Sequence, residues 1–125
     1  MRAYTVAAVA VTLKVPAKWI DNVLSHHSVP GVLQARQGVS RRLSPQAVTT
    51  LEIALQLVRS AALPLGRALA IAQQVVQAGT SEATVQLSRS VALVVDAGAI
   101  RAETSLRLAE AVEIAPRPRR GRPPR

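Results

Sequence analysis

Three groups of side chains in this sequence have the chemistry to hold a polyanion. Lys14, Lys18 and Asn22, with Ala17 and Asp21 between them, fall within nine positions near the start. Arg36, Gln37, Arg41 and Arg42 follow within a short stretch. Arg119, Arg120, Gly121, Arg122 and Pro123 lie near the end. Ammonium, guanidinium and amide groups donate hydrogen bonds to phosphate oxygens and base edges. The groups needed for bond-breaking chemistry are missing. The seven carboxylates are scattered, and the adjacent His26 and His27 have no third ligand type nearby. There is no Cys, and no Gly-rich phosphate loop. The expectation is therefore no enzyme, with no catalytic residue, no metal site and no cofactor.

The charge has a matching layout. Residues 1–42 carry six basic side chains against Asp21, residues 43–115 five basic against six acidic, and residues 116–125 five Arg and nothing acidic. The overall charge of +9 therefore sits at the two ends of a nearly neutral body, which points to nucleic acid as the partner. With one Trp, one Tyr and no Phe, there is little to stack splayed RNA bases, so double-stranded DNA is preferred. An acidic membrane surface is the competing partner, but neither basic segment sits on an amphipathic anchor. Val6–Leu13 is too short for a signal peptide and no small-residue cleavage site follows it. No apolar run reaches the ~18 residues of a membrane span. A cytoplasmic protein associated with the nucleoid is expected.

The elements that must position these groups follow from pattern. Thr5 caps a first helix over residues 5–11, with residues 12–15 as a turn and Pro16 at the first position of a second helix, residues 17–27. On that second helix Trp19, Ile20, Val23, Leu24 and His27 share one side, a core face. Ala17, Lys18, Asp21, Asn22 and Ser25 share the other. Short side chains there would let a backbone enter a major groove about 12 Å wide, with Lys18 and Asn22 as donors. Asp21 either accepts from a cytosine amino group or pairs with Lys18. Residues 32–36 and 39–43 read as a hairpin around Gln37-Gly38, with Arg36, Gln37 and Arg41 at its tip.

Ser44-Pro45 starts a helix with Val48, Leu51, Leu55 and Val58 as its buried stripe, stopped at Leu63-Pro64. A second helix follows to Gly79, burying Leu65, Ala68, Leu69, Ala72, Val75 and Val76. From residue 83 to 95 the period becomes two, with Val85, Leu87, Val91, Leu93 and Val95 in phase. One long strand and a hairpin turning near residues 88–90 both fit. A lone strand would need a partner, such as the same strand of a second subunit, which makes Val91, Leu93 and Val95 candidates for a dimer or partner contact. Asp96 or Gly98 opens a last helix to about Ile114, where Glu103, Arg107 and Glu110 form a stripe. The tail has no hydrophobic residue with which to fold.

Residues 4–76 resemble the DNA-binding domain of MerR-type regulators. The likeness is carried by the Tyr-Thr-Val start, Leu13-Lys14-Val15, Pro30-Gly31, Gly38 with Arg41, Leu43 and Ser44, and Leu65 with Ala68 after Pro64. It implies a winged helix-turn-helix whose second helix enters the major groove. Lys18 and Asn22 become the groove candidates, and Arg36, Arg41 and Arg42 the wing candidates. Typical members continue into a long coiled coil, whereas this chain continues into a strand-like segment and one short helix. A small repressor would have this outline, as would the antitoxin of a toxin–antitoxin pair, with a cognate toxin as second partner. Residues 118–123 resemble an AT-hook, whose Gly lies on the floor of a narrow minor groove with Arg on either side. Generic electrostatic contact is the alternative for the tail.

The resulting expectation is a mainly α (α+β) chain in three parts. Residues 1–79 form the winged helix-turn-helix, residues 80–115 the dimerisation or partner segment, and residues 116–125 a disordered basic tail. Its function would be sequence-specific transcription regulation, as a repressor binding its own promoter as a homodimer. The alternative is a protein-interaction module that neutralises a partner protein, with only nonspecific nucleic-acid contact through its tail.

Overall fold

The computed structural model describes residues 2–34 and 40–114. Within them the protein is mainly helical, with five helices and two small antiparallel sheets.

The first strand, β1 (Tyr4–Thr5), leads directly into helix α1 (Val6–Leu13), where the Thr5 hydroxyl accepts from the Ala8 N–H at 3.1 Å. The cap is the expected one, but the helix runs on through Thr12 and Leu13. Leu13 is buried in the core, and the buried Thr12 hydroxyl donates back to the Ala8 carbonyl at 2.9 Å, so neither gains by leaving the helix. The reversal falls on Lys14, which is left-handed at φ 57°. Lys14 N–H donates to Val11 O (3.3 Å) and Val15 N–H to Ala10 O (3.1 Å), a Schellman-type closure. Helix α2 (Ala17–His26) follows. Pro16 stands just before its first turn, extended at ψ 143°, rather than at its first helical position.

Two further short strands, β2 (Val32–Leu33) and β3 (Arg42–Leu43), complete a sheet of order β1-β3-β2. Leu43 lies at its centre, opposite both Tyr4 and Val32, and is fully buried. The participation of Tyr4 and Thr5 has no periodic signature, because a two-residue strand cannot show one. The expected hairpin tip, including Arg36, Gln37 and Gly38, lies outside the described residues.

Ser44 caps helix α3 (Pro45–Ala61), accepting from the Ala47 N–H at 3.1 Å. The expected stripe of Val48, Leu51 and Leu55 is buried and Val58 is half-buried. So are Ala47, Thr49, Thr50, Glu52, Ile53 and Ala54, because α3 is covered from several sides. Helix α4 (Leu65–Ala78) packs along one side of it and the last helix, α5 (Ala97–Ile114), along another. Thr49 and Thr50 tolerate burial by donating to the carbonyls of Pro45 (3.0 Å) and Gln46 (2.9 Å).

Residues 83–95 form a hairpin, which resolves the open alternative. Strand β4 (Ala83–Gln86) pairs with β5 (Ala92–Val95), with Val85 opposite Leu93 and Ala83 opposite Val95. The N–H groups of Leu87 and Ser88 both donate to the Val91 carbonyl (2.8 and 3.1 Å), closing the turn without an Asn-Gly pair. Arg67 of α4 anchors it by donating to the Leu87 carbonyl at 2.8 Å. The strand thus finds its first partner within the chain, so the lone-strand reason for expecting a dimer lapses. Ala83, Val85, Leu87 and Leu93 pack against the core and Val95 is part of it, while Val91, at the turn, is half exposed.

Asp96 opens α5, its carboxylate accepting from the Ala99 N–H at 3.0 Å. Val95, Ala97 and Leu108 belong to the same buried cluster as Val9, Leu43 and Leu51, so one core spans both expected parts of the body. Arg107 contacts Glu103 one turn back and reaches Glu52 of α3 at 3.9 Å. The Glu52 side chain is 10% exposed and also accepts from Gln56 at 3.1 Å. Arg107→Met is expected to destabilise the fold by about 1–2 kcal/mol, below the range for a fully buried pair because Arg107 is a third exposed. Urea unfolding measures it. No loss of stability would mean that Gln56 alone satisfies Glu52.

Candidate nucleic-acid interface

The two faces of α2 separate as the sequence pattern requires. Ile20 and Val23 are buried, and Trp19, Leu24 and His27 are half-buried against the core side. Ala17, Lys18, Asp21, Asn22 and Ser25 are all exposed on the opposite face, and Lys14 is exposed at the turn leading into it. The arrangement is a cationic, amide-bearing helix surface with short neighbours, held rigidly from behind.

Arg41 joins β3 to this helix. Its guanidinium lies 3.4 Å from both the carboxylate and the carbonyl oxygen of Asp21, and 3.2 Å from the Ser25 hydroxyl. Ser25 in turn donates to the Asp21 carbonyl at 2.7 Å. Asp21 thus pairs with Arg41, twenty residues away, and Arg41 is only 24% exposed. Ser25 is the residue whose part was not anticipated. Nothing in the local pattern of α2 marks it as the receiver of a side chain from the sheet. Arg42, the next residue, is exposed and lies opposite Thr5 and Leu33 in the sheet.

Backbone closure supports the same face. His26 Nδ1 lies 2.7 Å from the Asn22 carbonyl, so that nitrogen carries the proton and holds the last turn of α2. Gln73 of α4 donates to the Ser28 carbonyl at 2.9 Å and fixes the exit from α2. At the sheet edge, the Arg2 guanidinium stands 5.4 Å from the Tyr4 ring centre.

The site residues thus divide by position. Lys14, Ala17, Lys18, Asp21, Asn22, Arg41 and Arg42 lie on α2, on β3 or beside them. Arg36, Gln37, Arg119, Arg120, Gly121, Arg122 and Pro123 lie outside the described residues. Val91, Leu93 and Val95 belong to the β4–β5 hairpin. Among the described residues, no helix is long and apolar enough to cross a membrane. No protein-family model matches the chain, nor does any curated protein or solved structure.

Proposed function

We propose that the chain is a sequence-specific DNA-binding regulator, a small winged helix-turn-helix repressor acting at its own promoter. The observation that carries this reading is the joined surface of α2 and β3. Lys18 and Asn22 project from an exposed helix face, and Arg41 bonds that helix to the strand bearing the exposed Arg42. In this reading α2 lies in a major groove, Lys18 and Asn22 meet base edges or phosphates, and Arg42 meets backbone phosphate. Arg41 acts mainly as a strut, and Asp21 serves it rather than a cytosine. The antitoxin reading adds a protein partner, which would take the 80–115 segment, where Val91 of the hairpin and Leu106 of α5 are among the exposed apolar side chains.

The test is a mobility-shift titration with the DNA upstream of the gene beside a scrambled duplex of equal composition, at two salt concentrations. Preference for the native duplex that survives higher salt is expected. Equal binding that collapses with salt would reduce the protein to a nonspecific polyanion binder.

The tail gives a separate prediction. Removing residues 116–125 takes away five Arg. Affinity should fall, and the slope of log K against log salt should flatten by roughly 4 units at most, at about 0.9 per phosphate neutralised. An unchanged slope would place the tail off the DNA.

A further inference from the structure

Asp21 is the one acidic side chain among residues 1–51, and it sits on the α2 face that carries Lys18 and Asn22. A carboxylate there repels the phosphates that the neighbouring ammonium attracts. What it holds in return is Arg41, the residue before β3. The Arg41 guanidinium lies 3.4 Å from the Asp21 carboxylate, 3.4 Å from the Asp21 carbonyl and 3.2 Å from the Ser25 hydroxyl. All three contacts are longer than the roughly 2.7–2.9 Å of a tight charge-assisted bond. The Asp21 side chain is also 54% exposed. Charge rather than close fit therefore keeps the guanidinium on α2, while Arg42 beside it is exposed.

We infer that Asp21 is a positioning residue that sharpens discrimination against non-operator DNA, by keeping the Arg41 charge off the phosphate backbone. The inference rests on the DNA-binding reading and adds a repulsive element to it. Specificity is a difference between two affinities, and it grows when contacts open to every duplex are withheld. Backbone phosphate contacts are of that kind, because they carry no sequence information. With Asp21 charged, the Asp21–Arg41 pair presents no net charge, and the surface of α2 and β3 offers phosphates Lys14, Lys18 and Arg42. On a duplex whose bases suit Lys18 and Asn22, the same bridge holds β3 against α2 and keeps Arg42 in place. On any other duplex it leaves one phosphate without a cation. Asp21→Asn keeps the size of the side chain, removes its charge and frees the guanidinium for that phosphate.

Salt-dependent titration of the full Asp21→Asn chain against the native and scrambled duplexes, beside the wild-type chain, tests the inference. On the scrambled duplex, affinity should rise roughly tenfold in about 0.1 M salt, and the slope of log K against log salt should steepen by about 0.9, one added phosphate. On the native duplex the gain should be smaller, because the lost bridge offsets the new contact, so the preference between the two falls. Asp21→Ala should act in the same direction, and it decides the matter if Asp21→Asn fails to fold. In an Arg41→Ala chain, Asp21→Asn should no longer steepen the slope. Equal steepening there would mean that Asp21 acts by repulsion alone, which overturns the role given to Arg41. A wild-type chain with no preference between the duplexes would end the DNA-binding reading and this inference with it. A wild-type preference that persists in Asp21→Asn, with the scrambled duplex held no tighter, would overturn the inference alone.

Discussion

Replacing Lys18 and Asn22 together with alanine is expected to lower affinity for the native duplex by about 100-fold, or roughly 2.7 kcal/mol. Each well-made contact to a base edge discriminates by about 1–3 kcal/mol, and an ammonium gives less than a bidentate pair, so the sum falls near the lower middle. Both side chains are exposed on α2 and neither belongs to its buried face, so the melting temperature should not move. The native and scrambled duplexes must be titrated side by side. Asn22→Ala alone should reduce the preference between them while leaving the scrambled affinity nearly constant. Lys18→Ala alone weakens both if it sits on phosphate, and the native duplex selectively if it sits on a base. Equal small losses on both duplexes from the double variant would mean that the face contributes charge without reading. No loss on either would take α2 out of the groove.

The parts of this arrangement that were legible in the sequence are those set by local periodicity and local capping. Ile20 and Val23 against Lys18 and Asn22 is a 3.6-residue pattern. Thr5, Ser44 and Asp96 announce their helices because a short hydroxyl or carboxylate side chain satisfies the first free N–H groups. Long-range pairings were not legible. The Arg41–Asp21 bridge joins residues twenty apart, and from composition alone Lys18 was as good a partner for Asp21. Tyr4 and Thr5 enter the sheet only because Leu43 needs cover on both sides. Helix α1 outruns its local pattern for a related reason. Threonine in a helix is disfavoured by propensity, but Thr12 is buried and bonds back to Ala8, and burial of Leu13 carries the helix two residues further. The buried circumference of α3 follows from α4 and α5 lying on different sides of it, which a single apolar stripe does not disclose.

The largest loss of stability is expected from Gly31→Ala. Gly31 has φ +90°, where an L side chain is strained, and its carbonyl accepts from the Ser44 N–H at 2.9 Å. An added Cβ would meet the Ser44 Oγ at 2.2 Å and the Ala47 Cβ at 3.3 Å. The Ser44 side chain is the one that can give way, but its hydroxyl is the cap of α3, and Ser44 and Ala47 are both buried. Turning it aside leaves the Ala47 N–H without its acceptor, a loss of about 0.5–2 kcal/mol. The left-handed backbone with a Cβ adds about 1–2 kcal/mol. Together these come to about 1.5–4 kcal/mol, or a fall in melting temperature on the order of 10 °C for a domain of this size. A double-mutant cycle separates the causes. Ser44→Ala alone should cost about 1 kcal/mol, as a lost cap. In the double variant the colliding oxygen is gone and the cap is lost only once, so the two costs should sum to less than their separate values. Strict additivity would show that the collision is not the source of the loss and that backbone strain alone sets it. Arg42 and Leu43 immediately precede Ser44, so the same displacement reaches Arg41 and its contact with Asp21. Gly31→Ala should therefore weaken DNA binding by more than its unfolded fraction accounts for, whereas Ser44→Ala, which leaves the strand in place, should not.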